Sequence, residues 1–146
     1  VANKEELKAR IHAAFDSVVA NGASYTKVYA TEIRQKNYIV FRRTTISNFV
    51  IGFQSGRTDL TIVPIDENNG TVTAGTPFTI TDANRAVVKK RDLQGRFVVK
   101  TTDGQTFRLT VIPSVPKLMA VAYQLPVDQK AEYDSFVALR DSLTAA

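Results

Sequence analysis

Apolar residues in this chain follow a helical period only near its two ends, and everything between them is cut into short β-type runs. From Lys4 to Asn21, the residues Leu7, Ile11, Ala14, Phe15, Val18 and Val19 form one stripe at i, i+4, i+7 and i+8 spacing. Asn3 and Glu6 fit an N-cap followed by an acid at the third helical position. Gly22 stands where a glycine would end the helix. A second amphipathic helix is expected from Asp128, just past Pro126, to about Leu143, with Ala131, Phe136, Leu139 and Leu143 on its apolar face. The runs between predict strands at 25–33, 37–43, 47–54, 58–65, 71–81 with a break at Pro77, 84–91, 96–101, 105–112 and 118–124. Val (17) and Thr (16) are the β-branched residues that suit a pleated surface, and they supply much of this stretch. Asn69-Gly70 marks a tight hairpin. No repeat, linker or low-complexity tract interrupts the pattern. Residues 1–146 therefore read as a single α+β domain, a mostly antiparallel meander folded into a barrel or a strongly bent sheet, with one helix at each end.

The hairpins of residues 84–112 can be read to the register, because the faces of paired strands must agree. Phe107, Leu109 and Val111 alternate along one strand, and Phe97 and Val99 along its neighbour. A two-residue Asp103-Gly104 turn would set Val99 against Arg108 and place core beside solvent. A three-residue loop, Thr102-Asp103-Gly104, pairs Val99 with Phe107 and puts the glycine at the left-handed position of a bulged turn. In the preceding hairpin a four-residue loop, Asp92-Leu93-Gln94-Gly95, pairs Arg91 with Arg96, Lys89 with Val98 and Val88 with Val99. Both registers predict one outward face carrying Arg85, Lys89, Arg91, Arg96, Lys100 and Arg108.

Charge is unevenly spread along the chain. Residues 34–57 hold Arg34, Lys36, Arg42, Arg43 and Arg57 with no acid, and residues 58–82 hold Asp59, Asp66, Glu67 and Asp82 with no base. Residues 83–118 hold eight bases against Asp92 and Asp103, and the whole chain carries a net charge of +5. The six outward cations read as an anion or partner site, for lipid headgroups, nucleic-acid backbone or an acidic protein surface. Like charges set opposite one another, as Arg91 and Arg96 are here, destabilise a strand pair and ask for a reason. Cations on an exposed strand face also keep sheets soluble and block edge pairing. Base stacking would need aromatics among the cations, but Phe97 and Phe107 fall on the presumed core face. Tyr25, Tyr29 and Tyr38 sit at alternating-type strand positions, where half-buried packing is the ordinary role of tyrosine.

Catalytic and metal signatures are sparse. The chain has no cysteine and one histidine, which excludes a disulfide scaffold, a thiol nucleophile and multi-histidine metal sites. His12, on the first helix and next to Ile11, reads as a solvent-side or rim histidine. No Gly-x-Ser-x-Gly, P-loop or Gly-x-Gly-x-x-Gly pattern occurs. The stretch Asp66-Glu67-Asn68-Asn69-Gly70 lacks the glycine spacing and terminal glutamate of a calcium loop and reads as a turn. The expectation is a non-enzyme with no cofactor and no metal. No apolar run reaches the length of a membrane helix, and a cytoplasmic location is expected.

A basic antiparallel meander of seven or more short strands followed by a C-terminal amphipathic helix resembles the pleckstrin-homology-type barrel, including its bacterial relatives. The strands from about Tyr38 to Tyr123 and the helix from Asp128 to Leu143 carry the likeness, which is one of architecture. It implies a non-catalytic interaction module. Phosphoinositide-binding members carry Lys and Arg across their first hairpin, and Arg42 and Arg43 are the nearest equivalent, a secondary basic patch. The helix at 4–21 and a surplus strand depart from that pattern, and a plain α+β domain with both helices on one face of a sheet is the competing architecture. The function expected is docking onto a protein or an anionic surface through the basic β face, with a homo-oligomer compatible. Two alternatives stand beside it: a nucleic-acid-associated protein using the same cations, and a small-molecule-binding domain with a pocket between sheet and helices.

Overall fold

The computed structural model describes residues 4–37, 42–54, 56–68, 71–90, 95–111 and 129–144. Helix α1 covers Lys4–Val18, and a 3-10 turn at Gly22–Ser24 leads into the strands. These are β1 (Thr26–Asn37), β2 (Arg42–Phe53), β3 (Leu60–Asn68), β4 (Thr71–Ala74), β5 (Phe78–Ile80), β6 (Arg85–Lys90), β7 (Gly95–Thr101) and β8 (Thr106–Val111). Helix α2, Lys130–Thr144, follows. The strands pair antiparallel in the order β4-β3-β2-β1-β8-β7-β6, and β5 adds to β3. The sheet is not closed, so of the two expected forms the bent meander of an α+β fold is the one found. Its bend brings β5 over β8, where the Phe78 and Phe107 rings lie 5.4 Å apart.

Strand alternation divides the sheet into two faces, and each carries a helix. On the inner face, Val28, Ala30, Ile51, Phe53, Leu60, Ile62, Phe97, Val99 and Leu109 form a core with Phe136 of α2. The Phe136 ring meets Phe97 at 5.1 Å and Phe53 at 6.1 Å. On the outer face, Tyr29, Val50, Val63 and Ile65 pack against Leu7, Ile11, Ala14 and Phe15 of α1. The helices therefore lie on opposite faces, and the architecture with both on one side does not hold. Phe15 is fully buried, a burial that contributes about 1.5–3 kcal/mol. Its ring occupies the space above Gly52, where an added Cβ would come within 2.2 Å of Cζ.

Two sequence expectations are corrected. The runs 25–33, 37–43 and 47–54 are two strands of 12 residues each, paired without a break from Thr26↔Phe53 to Asn37↔Arg42. No glycine or proline interrupts residues 34–36 or 44–46, and the run Thr44-Thr45-Ile46 favours continuation. The second correction concerns the end of α1, where Asn21 takes the left-handed conformation (φ 58) and Gly22 does not. Asparagine tolerates that region, and Gly22 serves a close approach instead, since a Cβ there would lie 2.8 Å from the Asp16 Cα. The break expected at Pro77 within 71–81 is found, where Gly75-Thr76-Pro77 separates β4 from β5 and the Gly75 N–H donates to the Pro64 carbonyl at 2.8 Å. Asn68 pairs with Thr71, as a two-residue connection requires. Asn3, Asn69-Gly70, Asp128 and the strand expected at 118–124 lie outside the described residues.

Thr31↔Thr110 is the described ladder pair between β1 and β8. Beyond it the Gln129 side chain takes the place of a strand. Its Oε1 accepts from the Tyr29 N–H at 2.7 Å, and its Nε2 donates to the Tyr29 carbonyl at 2.9 Å. The start of α2 reaches α1, where Lys8 Nζ meets Glu132 Oε1 at 2.7 Å.

Candidate functional site

The outer face of β6, β7 and β8 carries Lys89, Lys100 and Arg108 of the sequence-predicted cations, and its registers are those the loops require. Val99 pairs with Phe107 and Val88 with Val99. The β7–β8 turn is closed by Gly104 N–H donating to the Thr101 carbonyl at 3.2 Å, with Gly104 at φ 91. Thr101 Oγ1 donates to the Asp103 carboxylate, so that acid is engaged within the turn.

Across the three strands, Lys89, Val98 and Arg108 form one row, and Val87, Lys100 and Thr106 form the next. Lys89, Lys100 and Arg108 are exposed, whereas Val98 is 4% exposed between its two long cationic neighbours. Such side chains lay their methylene stems over apolar surface while the charge stays in water. None of these three cations forms an ion pair with a described residue. Arg96 occupies the position opposite Thr110, in register with this face. Arg91 lies outside the described residues.

Arg85 does not join them. The register shifts between Arg85 and Val87, leaving Ala86 as a bulge, and Arg85 pairs with buried Thr101. One extra residue turns every following side chain to the other face. Arg85 thus belongs to the side of Val99 and Thr101. Its guanidinium donates to the Thr58 carbonyl at 3.1 Å and to the Asp82 carboxylate, and its side chain is 16% exposed. Hydrogen bonds from Thr58 first, then from Arg85, hold Asp82 below the usual carboxylate range. Arg85 is a strut joining β6 to the start of β3.

Arg42 and Arg43 sit at the far end of the β1–β2 hairpin, paired with Asn37 and Lys36. This register places Lys36 directly across from Arg43 and Arg34 across from Thr45. The grouping was invisible while residues 37–43 were read as a separate strand. Glu32, the acid nearest this stretch, is 6% exposed and accepts from the Arg108 backbone N–H at 3.1 Å. Its charge is turned into the β1–β8 seam.

His12 lies half-buried where α1, β1 and α2 meet. Burial first, then the Lys27 and Lys8 charges, push its imidazole below the usual histidine range, against Glu132 and Asp16. Burial pushes Glu132 up, but the hydrogen bond from Lys8, one from its own backbone N–H and the Lys8 charge together outweigh it and hold that carboxyl low. Among the described residues no group of three or more His, Cys, Asp or Glu side chains could hold a metal ion. No helix among them is long and apolar enough to cross a membrane.

Comparison with protein-family models, curated proteins and solved structures gives no match.

Proposed function

We propose that the chain is a non-catalytic interaction module that docks on an anionic surface through the outer face of β6, β7 and β8. The observation that carries this reading is the composition of that face. Its described register positions hold Val87, Lys89, Arg96, Val98, Lys100, Thr106, Arg108 and Thr110, and no acid. A face of one charge sign with unpaired cations attracts phosphate-rich surfaces at long range, and the attraction is screened by salt. The same positions hold no aromatic residue, so there is no platform on which unstacked bases could lie. Lipid headgroups fit such a face better than single-stranded nucleic acid does. Near an anionic membrane each Lys or Arg contributes about 1 kcal/mol, so three or four together give weak, reversible docking.

Co-sedimentation with vesicles containing phosphatidylserine, beside neutral phosphatidylcholine vesicles and a single-stranded oligonucleotide, tests the reading. Binding to the anionic vesicles that fades as salt rises supports it. Preference for the oligonucleotide would favour the nucleic-acid alternative, and no binding at low salt would leave the cations as a solvated face.

A further inference from the structure

A cleft of about 340 Å³ opens on the outer face beyond the end of α1, away from the β6–β8 cations. Val18, Val19 and Pro77 give it apolar walls, and Tyr25, Arg57 and Asp59 are among its polar lining residues, with Arg57 and Asp59 the charged ones. The loop from β2 to β3 that carries Arg57 and Asp59 is held by its other polar side chains. Gln54 Nε2 donates to Ser24 Oγ at 2.9 Å, and Thr58 Oγ1 donates to Asp82 at 2.8 Å. The Arg85 guanidinium fixes the Thr58 carbonyl from the other side. Neither the Arg57 guanidinium nor the Asp59 carboxylate has a hydrogen bond or ion pair with another described residue. Two opposite charges thus line one cleft, two residues apart in sequence, without neutralising each other.

We infer that this cleft binds a small zwitterion, an α-amino acid with an apolar side chain. A purely anionic ligand would meet Asp59 and a purely cationic one Arg57, so the pair selects a molecule bearing both charges. Arg57 offers the planar fork that takes a carboxylate in two hydrogen bonds, and Asp59 accepts from an ammonium. Val18, which is 38% exposed, and Pro77 would receive the side chain. The volume lies at the small end of the range for small-molecule sites, about 300–1,000 Å³.

The test is an NMR titration of the full chain with L-leucine, N-acetyl-L-leucine and L-leucinamide, repeated on Arg57→Ala and Asp59→Asn. The inference expects leucine to shift the resonances of Val18, Tyr25 and Thr79, with each blocked form at least about tenfold weaker, the loss expected of one charge-assisted hydrogen bond. Arg57→Ala should make leucine and leucinamide equal, and Asp59→Asn should make leucine and N-acetyl-leucine equal. Both positions lie in a surface loop where substitutions are tolerated, and an unchanged amide spectrum without ligand checks that the variants fold. No shifts with leucine up to ~10 mM, equal binding of all three compounds, or shifts confined to other residues would each overturn it.

Discussion

Gln129 makes the same two hydrogen bonds to Tyr29 that a neighbouring strand would make, although 100 residues separate them. The side-chain amide copies a peptide unit, with a carbonyl oxygen and an N–H donor side by side. β8 covers Thr106–Val111, and Thr31↔Thr110 is its described pair with β1. Gln129 therefore supplies a partner to each of two buried main-chain groups.

Gln129→Ala should cost about 2–4 kcal/mol, because each buried polar group left unpaired costs about 1–3 kcal/mol. Gln129→Glu keeps an acceptor for the Tyr29 N–H but loses the donor to its carbonyl, and it should also destabilise. Urea unfolding measures both. A loss below about 0.5 kcal/mol for the alanine variant, the range of an ordinary surface change, would mean that other groups satisfy Tyr29.

Gly52 and Phe15 form a lock of a different kind, in which one residue's missing side chain makes room for the other's ring. Gly52→Ala forces its Cβ into that ring, and overpacking of this sort costs about 1–3 kcal/mol. Phe15→Ala should cost about 3–5 kcal/mol through the cavity it leaves. The double variant should be more stable than the sum of the two losses predicts, since the added methyl meets empty space. Simple additivity in a denaturation cycle would show that Phe15 does not rest on Gly52.

Acid should weaken the fold in two windows. The His12 imidazole is held below its ordinary value of 6.5, so at mildly acid pH the unfolded chain binds a proton that the folded chain refuses. Stability contributed by neutral His12 is complete above the unfolded pKa of about 6.5 and declines as pH falls through it. Glu132 is held below 4.5, and its contribution is lost only as pH falls below that value. His12→Gln should flatten the first decline and leave the second. His12 is the only histidine, so a proton NMR titration reads its pKa without assignment, and a value above 6.5 would reverse the sign.

Much of the β6–β8 face was legible in the sequence because two constraints acted on it together. Alternation of Phe97 and Val99 with Lys100 fixed the faces, and Gly104 fixed the turn that sets Val99 against Phe107. Arg85 was misplaced because the bulge at Ala86 has no mark in the pattern. Alanine carries no preference strong enough to show where a strand slips by one residue. The β1–β2 hairpin was divided because polar residues at 34–37 and 43–45 look like turn material until they are seen paired with one another. Gln129 offered no periodic signal, since its role is made by tertiary geometry. The same holds for Arg57 and Asp59, which counted in the sequence only as members of opposite charge blocks.

Vesicle binding of two variants tests most directly which cations face outward. Lys100 and Arg108 are exposed on the outer face, whereas Arg85 is turned to the other side and held by Asp82 and Thr58. In co-sedimentation with phosphatidylserine vesicles at low salt, Lys100→Glu/Arg108→Glu should lose binding while its unfolding curve stays close to wild type. Arg85→Gln should bind as wild type does, with its cost appearing in stability instead. Loss of binding in Arg85→Gln equal to that of the double reversal, or retention of full binding by the double reversal, would contradict the account.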